Sequence, residues 1–175
     1  MGTKRVGLAR IEALMENLKR EIVGFNVENT ANSVTAVTAA GALARNSVNL
    51  LNDADNATYT LPAAADCARG DIIIVKYMAA ITVGQKHSYG TAGEFFSTAS
   101  TVYKPGGAPG VYAVVTAADG TDDDFLALTG ATNAGPGIGT ELRFHFDGSK
   151  WVVNGKVETT GNGTGTSSVA FAETA

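Results

Sequence analysis

The side chains best suited to chemistry in this 175-residue chain are few: two histidines, one cysteine and a short run of aspartates. His145 falls in the polar phase of an alternating segment, where a lone imidazole reads as a solvated surface residue, and His87 has no partner motif. Cys67 follows Asp66 in a loop of small residues with no second cysteine nearby. It reads as a free thiol, buried or partly exposed, rather than a nucleophile. Asp119, Asp122, Asp123 and Asp124 form the densest acidic cluster, and a hard cation such as Ca²⁺ needs six to eight oxygens of the kind such a loop offers. The EF-hand spacing and its distal glutamate are absent, so a solvated loop is the better reading. Gly135-Pro136-Gly137-Ile138-Gly139 invites comparison with a phosphate cradle. Such a cradle needs a helix after the loop, whereas here a strand follows and Pro136 removes a donor. No nucleophile–base set, carboxylate pair or metal-ligand spacing emerges, and the reading is of a protein that is not an enzyme and holds no metal or cofactor.

The elements that would position these residues divide the chain at about residue 24. Thr3 to Val23 is built of strong helix formers, with Thr3 available as an N-cap and Gly24 as a stop. Leu8, Ile11, Met15, Leu18, Ile22 and Phe25 are spaced alternately by three and four residues, which is a heptad seam. Leu14 flanks the seam and widens the apolar stripe, and Glu16 and Arg20 are spaced for an ion pair on the opposite side. Burying six such side chains yields roughly 9–18 kcal/mol gross, against about 1–2 kcal/mol for each residue ordered. The helix alone barely holds. It could dock on its own domain, but the widened stripe favours three or more helices tethered to a domain that itself associates.

Beyond residue 24 the composition turns to Gly, Ala, Thr, Ser, Asn and Val, which favours short strands and tight turns. Residues 25–47 read as a connector with one strand candidate at Ser33–Thr38. Strand candidates follow at Val48–Leu51, Ala57–Leu61, Asp71–Met78, Ile81–Val83 (as a hairpin partner of the preceding one), Thr101–Lys104, Val111–Thr116 and Asp124–Thr129. The unbroken apolar run Ile72-Ile73-Ile74-Val75 marks a strand buried on both faces. The clearest hairpin is at the end: Leu142, Phe144 and Phe146 alternate with polar residues, Asp147-Gly148 turns, and Trp151-Val152-Val153 returns. The expected architecture is mainly β: an N-terminal amphipathic, coiled-coil helix, then an antiparallel β-sandwich or jelly-roll-like domain over 48–158. Residues 159–175 are either a flexible tail or an extended arm whose Val169 and Phe171 pair with a sheet edge on a neighbour.

The totals exclude several classes. The formal charge is −4, from 13 basic and 17 acidic side chains, so no strongly basic face for nucleic acid is expected. The single cysteine cannot staple the chain internally, which leaves core packing or oligomerisation to stabilise it. No apolar run approaches the ~18–20 residues of a membrane helix, and no signal peptide is evident, so the chain reads as soluble and made in the cytoplasm.

The segment Thr3-Lys4-Arg5-Val6-Gly7-Leu8-Ala9-Arg10, continued by Glu16-Asn17-Leu18-Lys19-Arg20-Glu21, resembles the N-terminus of virion proteins of marine tailed phages, of the cyanophage and pelagiphage type. The final hairpin with Trp151, then Gly163-Thr164 and Val169-Ala170-Phe171-Ala172, is similar to their C-terminal portion. Tyr59-Thr60-Leu61-Pro62, Gly70-Asp71-Ile72-Ile73-Ile74-Val75 and Phe146-Asp147-Gly148-Ser149-Lys150-Trp151 look like the small β modules of trimeric phage fibres. Residues 84–140 depart from both patterns. The resemblance implies a trimeric virion structural protein, assembled from copies of itself and bound to the major capsid protein or other virion proteins. Two places in the particle compete: a decoration or cement protein on the outer capsid surface, and a tail or capsid fibre binding a host-surface glycan or protein. A glycan-degrading spike enzyme would need a pair of carboxylates about 5–10 Å apart.

Overall fold

The structure, a computed structural model, describes residues 33–52, 58–80, 85–89, 94–105, 111–117, 123–129, 136–158 and 168–172. The helix expected over 3–23, with its seam residues Leu8, Ile11, Leu14, Met15, Leu18, Ile22 and Phe25, lies outside the described residues, as does Ile81–Val83.

The described chain is mainly β. In order it forms β1 (Ser33–Val37), β2 (Gly41–Ala42), β3 (Ser47–Leu51), β4 (Thr58–Leu61), β5 (Ile72–Tyr77) and β6 (Gln85–Tyr89). β7 (Thr101–Pro105), β8 (Tyr112–Thr116), β9 (Phe125–Thr129), β10 (Glu141–Phe146), β11 (Trp151–Lys156) and β12 (Ser168–Ala172) follow. The seven-stranded sheet has the order β1-β3-β5-β10-β11-β7-β8, and the five-stranded sheet the order β12-β9-β6-β4-β2. Strands β1, β2 and β12 lie outside the 48–158 range expected for the β domain.

The expectation of antiparallel pairing is corrected. Up to β6, odd-numbered strands enter one sheet and even-numbered strands the other, so each strand returns to its sheet in the direction of its predecessor. Ser33 lies opposite Ser47, and Ser47 opposite Ile73, in parallel register; Tyr59 lies opposite Gly41 and His87 in the other sheet, also in parallel. The first half of the chain is thus wound as a flattened coil. A turn signal in sequence marks a change of direction equally well for a hairpin and for a crossing between sheets, so the pattern alone could not separate them. In the second half the β10–β11 hairpin forms where the alternation and Asp147-Gly148 place it, with Phe146 opposite Trp151. Gly148 has φ +104°, the left-handed conformation that suits glycine. β10 slots between β5 and β11, and β7 joins β11 in parallel.

One core lies between the sheets. Leu51, Ile73, Val75, Tyr77, Leu142, Phe144, Trp151 and Val153 come from the larger sheet, and Tyr59, Leu61, Leu126, Leu128 and Val169 from the smaller. Phe96, from the segment before β7, stacks on both: its ring lies 6.2 Å from Phe144 and 5.5 Å from Phe171. Trp151 packs on Phe146 at 5.4 Å and donates its indole N–H to the Pro62 carbonyl at 3.1 Å. That bond lets a large amphipathic ring be fully buried without an orphaned donor.

Candidate functional site

The outer face of the seven-stranded sheet carries two different surfaces, and both follow from strand alternation. On β5, Ile73, Val75 and Tyr77 face the core and are fully buried, whereas Ile72 and Ile74 are only half-buried. The run Ile72–Val75 is therefore buried on one face, not on both as its sequence predicts. The register extends this outward row across neighbouring strands. Val34 on β1 lies opposite Val48 on β3, which lies opposite Ile74; Ala36 lies opposite Leu50 in the next row. Val34 is 68% exposed. The outward side chains of β1, β3 and β5 are apolar apart from Lys76, although they face away from the core.

A polar network pins these strands at one end. Asn46, at φ +52°, turns the chain into β3; its backbone N–H donates to the Ile72 carbonyl at 2.7 Å and its side-chain oxygen accepts from the Ile72 N–H at 3.1 Å. Its amide nitrogen also donates to Asp71 at 3.0 Å, and that carboxylate accepts from the Ala68 N–H at 2.8 Å and from Arg45 at 3.1 Å. Burial pushes the Asp71 carboxyl up, but the Ala68, Asn46 and Arg45 donors together hold it below its ordinary value. Asn49, the third residue of β3, is fully buried and bridges the turn: its oxygen accepts from the Ala44 N–H at 2.9 Å and its nitrogen donates to the Ala44 carbonyl at 3.0 Å.

The other half of the same outer face is mostly polar on β7, β10 and β11, with the exposed Val114 of β8 beside Tyr103. Along one row Tyr103 on β7 neighbours Lys156 on β11, then Glu141 on β10, then Lys76 on β5. The adjacent row runs Thr101, Asn154, Arg143. Tyr103, Gly139, Glu141, Arg143, Asn154, Gly155 and Lys156 line an open groove of about 420 Å³. Glu141 accepts from Arg143 Nε at 2.7 Å and pairs with Lys76 at 3.1 Å, while Lys156 pairs with Glu158 at 2.5 Å and sits 5.0 Å from the Tyr112 ring centre. The Arg143 hydrogen bond, against the opposing effect of burial, and then Lys76 hold the Glu141 carboxyl below its ordinary value. Three cations therefore share two carboxylates.

The residues singled out by sequence are dispersed. His145 is exposed on the outer face of β10, opposite Ile72 and Val152. His87 lies on β6 in the other sheet. Cys67 is half-buried, and burial raises its thiol above the usual value, against the opposing charge of Arg45. Of the aspartate cluster, Asp119 and Asp122 lie outside the described residues; Asp123 is buried and Asp124 half-buried. Among the described residues no group of three His, Cys, Asp or Glu side chains is placed to hold a metal, and no helix is long and apolar enough to cross a membrane. The amides of Gly137 and Gly139 are spent on the carbonyls of Glu158 and Tyr77. Val169 and Phe171 sit on β12, which pairs antiparallel with β9 of the same chain, Val169 opposite Leu128 and Phe171 opposite Leu126. Sequence reasoning did not reach the groove, because its residues come from β7, β10 and β11 and meet only through register. No family model, no curated protein and no solved structure matches the chain.

Proposed function

We propose that the chain is a structural subunit of a tailed-phage virion, a homotrimeric decoration protein that clamps the outer capsid surface. The observation that carries this reading is the apolar outward row Val34–Val48–Ile74 with Ala36, Leu50 and Ile72. A sheet that has already buried its inner face gains nothing from apolar side chains on the other unless a second surface covers them. Copies of this chain are the occupant that fits best. β1 is an edge strand that begins eight residues after Phe25, the last residue of the expected heptad seam, so apolar row and seam are neighbours in the chain. The resemblance of Thr3–Glu21 and of Trp151–Ala172 to phage virion proteins supplies the particle. Bound to several capsid subunits at once, a trimer makes modest contacts persistent.

The test is the solution mass of the full chain at micromolar concentration. A trimer is expected for the wild type and a lower state for Val34→Glu and Ile74→Glu. Val34 is so exposed that its substitution costs the monomer no more than about 0.5 kcal/mol. A monomeric wild type refutes the assembly. Particles lacking the protein should burst more readily on heating; unchanged particle stability refutes the capsid role.

A further inference from the structure

We propose that the groove between β7 and β10 is a binding site for an acidic saccharide, a sugar ring bearing a carboxylate. Its dimensions follow from the sheet. Tyr103 and Arg143 stand on strands separated by β11, hence about 9–10 Å apart across the strands, and Asn154 and Lys156 are spaced by about 7 Å along β11. That leaves room for one ring between an aromatic wall and a polar wall. Tyr103 is 49% exposed, so the ring of this tyrosine is available to a ligand. The face of a phenol ring is electron-rich and attracts the polarised C–H bonds on the flat side of a sugar.

The opposite wall offers complementary hydrogen-bonding groups. Arg143 uses its Nε–H on Glu141, which leaves the terminal amino groups of the guanidinium for a ligand carboxylate. Its side chain is two-thirds exposed. Glu141 retains acceptor capacity for hydroxyls, and the Asn154 amide both donates and accepts. The charge selects an anion: the lining carries Arg143 and Lys156 against Glu141, whose charge Lys76 also engages from outside the groove, within a chain whose net charge is −4. An acidic peptide could meet the same cations, but it would lose backbone and side-chain freedom that a closed ring does not have. Such a site adds attachment to assembly, and it stands on the groove alone, whatever the oligomeric state.

The test is calorimetric titration of the full chain with trigalacturonate, with maltotriose as the neutral probe and triglutamate as the acidic peptide. Trigalacturonate should bind saturably with Kd of about 0.1–1 mM, and maltotriose about tenfold more weakly. Tyr103→Ala and Arg143→Gln should each weaken trigalacturonate about tenfold without changing the melting temperature, which separates lost binding from lost fold. Absence of saturable binding overturns the proposal. So does equal affinity for maltotriose, or triglutamate binding as tightly as trigalacturonate and insensitive to Tyr103→Ala.

Discussion

Replacing Asp71 by alanine tests whether the polar network at the head of β5 holds the outer apolar rows in register. The carboxylate accepts three hydrogen bonds, from Ala68 N–H, Asn46 and Arg45, and its side chain is 11% exposed. Arg45 is 42% exposed, so its ion pair is screened and contributes only about 0–1 kcal/mol. Bonds from the two neutral donors to a charged acceptor are worth about 1.5–3 kcal/mol each and are not additive. The expected loss is about 2–4 kcal/mol, or roughly 5–15 °C in Tm for a chain of this size. Asp71→Asn should lose nearly as much, because its new N–H₂ faces donors. The effect depends on pH in a defined direction. A carboxyl whose folded pKa is depressed stabilises fully above its unfolded value of about 3.9 and loses that contribution as pH falls through the folded pKa. The gap between wild type and Asp71→Ala should therefore be complete at neutral pH and shrink below about pH 4. Thermal melts followed by circular dichroism across this range make the measurement. An Asp71→Ala protein melting within about 1 °C of wild type at neutral pH refutes the reasoning, as does a gap undiminished near pH 2.

Gly155→Ala should destabilise although alanine is a small residue. A β-carbon there would lie 2.5 Å from the Glu141 carbonyl oxygen and 2.7 Å from Leu142 Cδ2, and the backbone atom cannot swing aside. A loss of about 1–3 kcal/mol in denaturant titration is expected, and an unchanged midpoint would show that the two strands can part cheaply. Trp151→Phe keeps an aromatic ring but leaves a void and leaves the Pro62 carbonyl to the weak Cys67 thiol donor at 3.8 Å, for about 1–3 kcal/mol in the same assay. A neutral outcome there would mean that water replaces the indole N–H.

Local patterns in the sequence were read accurately where the chain folds back on itself. The alternation Leu142, Phe144, Phe146 and the Asp147-Gly148 turn placed β10 and β11, because a hairpin is specified by neighbours in sequence. Ile72–Val75 is legible as a strand, but its second apolar face, Ile72 and Ile74, is only half-buried. The same outward row is the surface we propose for assembly. β6, Gln85–Tyr89, carries no apolar run and escaped notice; it is held by pairing with β4 and β9 on either side. The groove was illegible for a related reason. Arg143 and Asn154 face each other across the legible β10–β11 hairpin, but Tyr103 joins them only through the parallel β7–β11 register, which no local pattern specifies.

The alternating course of the first six strands also governs how the protein is made. Among the described residues of this stretch no strand pairs with the one that follows it in the chain, so none of these strands is stabilised by the one emerging next from the ribosome. β3 can pair back to β1 and β4 to β2, but each gains its second neighbour only with β5 or β6, and every pairing closes a loop through the other sheet whose entropy is lost first. Folding should be slow and strongly cooperative. While it lasts, Ile72–Val75 and the Val48 and Leu50 row are open to wrong partners, which places a premium on dilute or chaperoned synthesis.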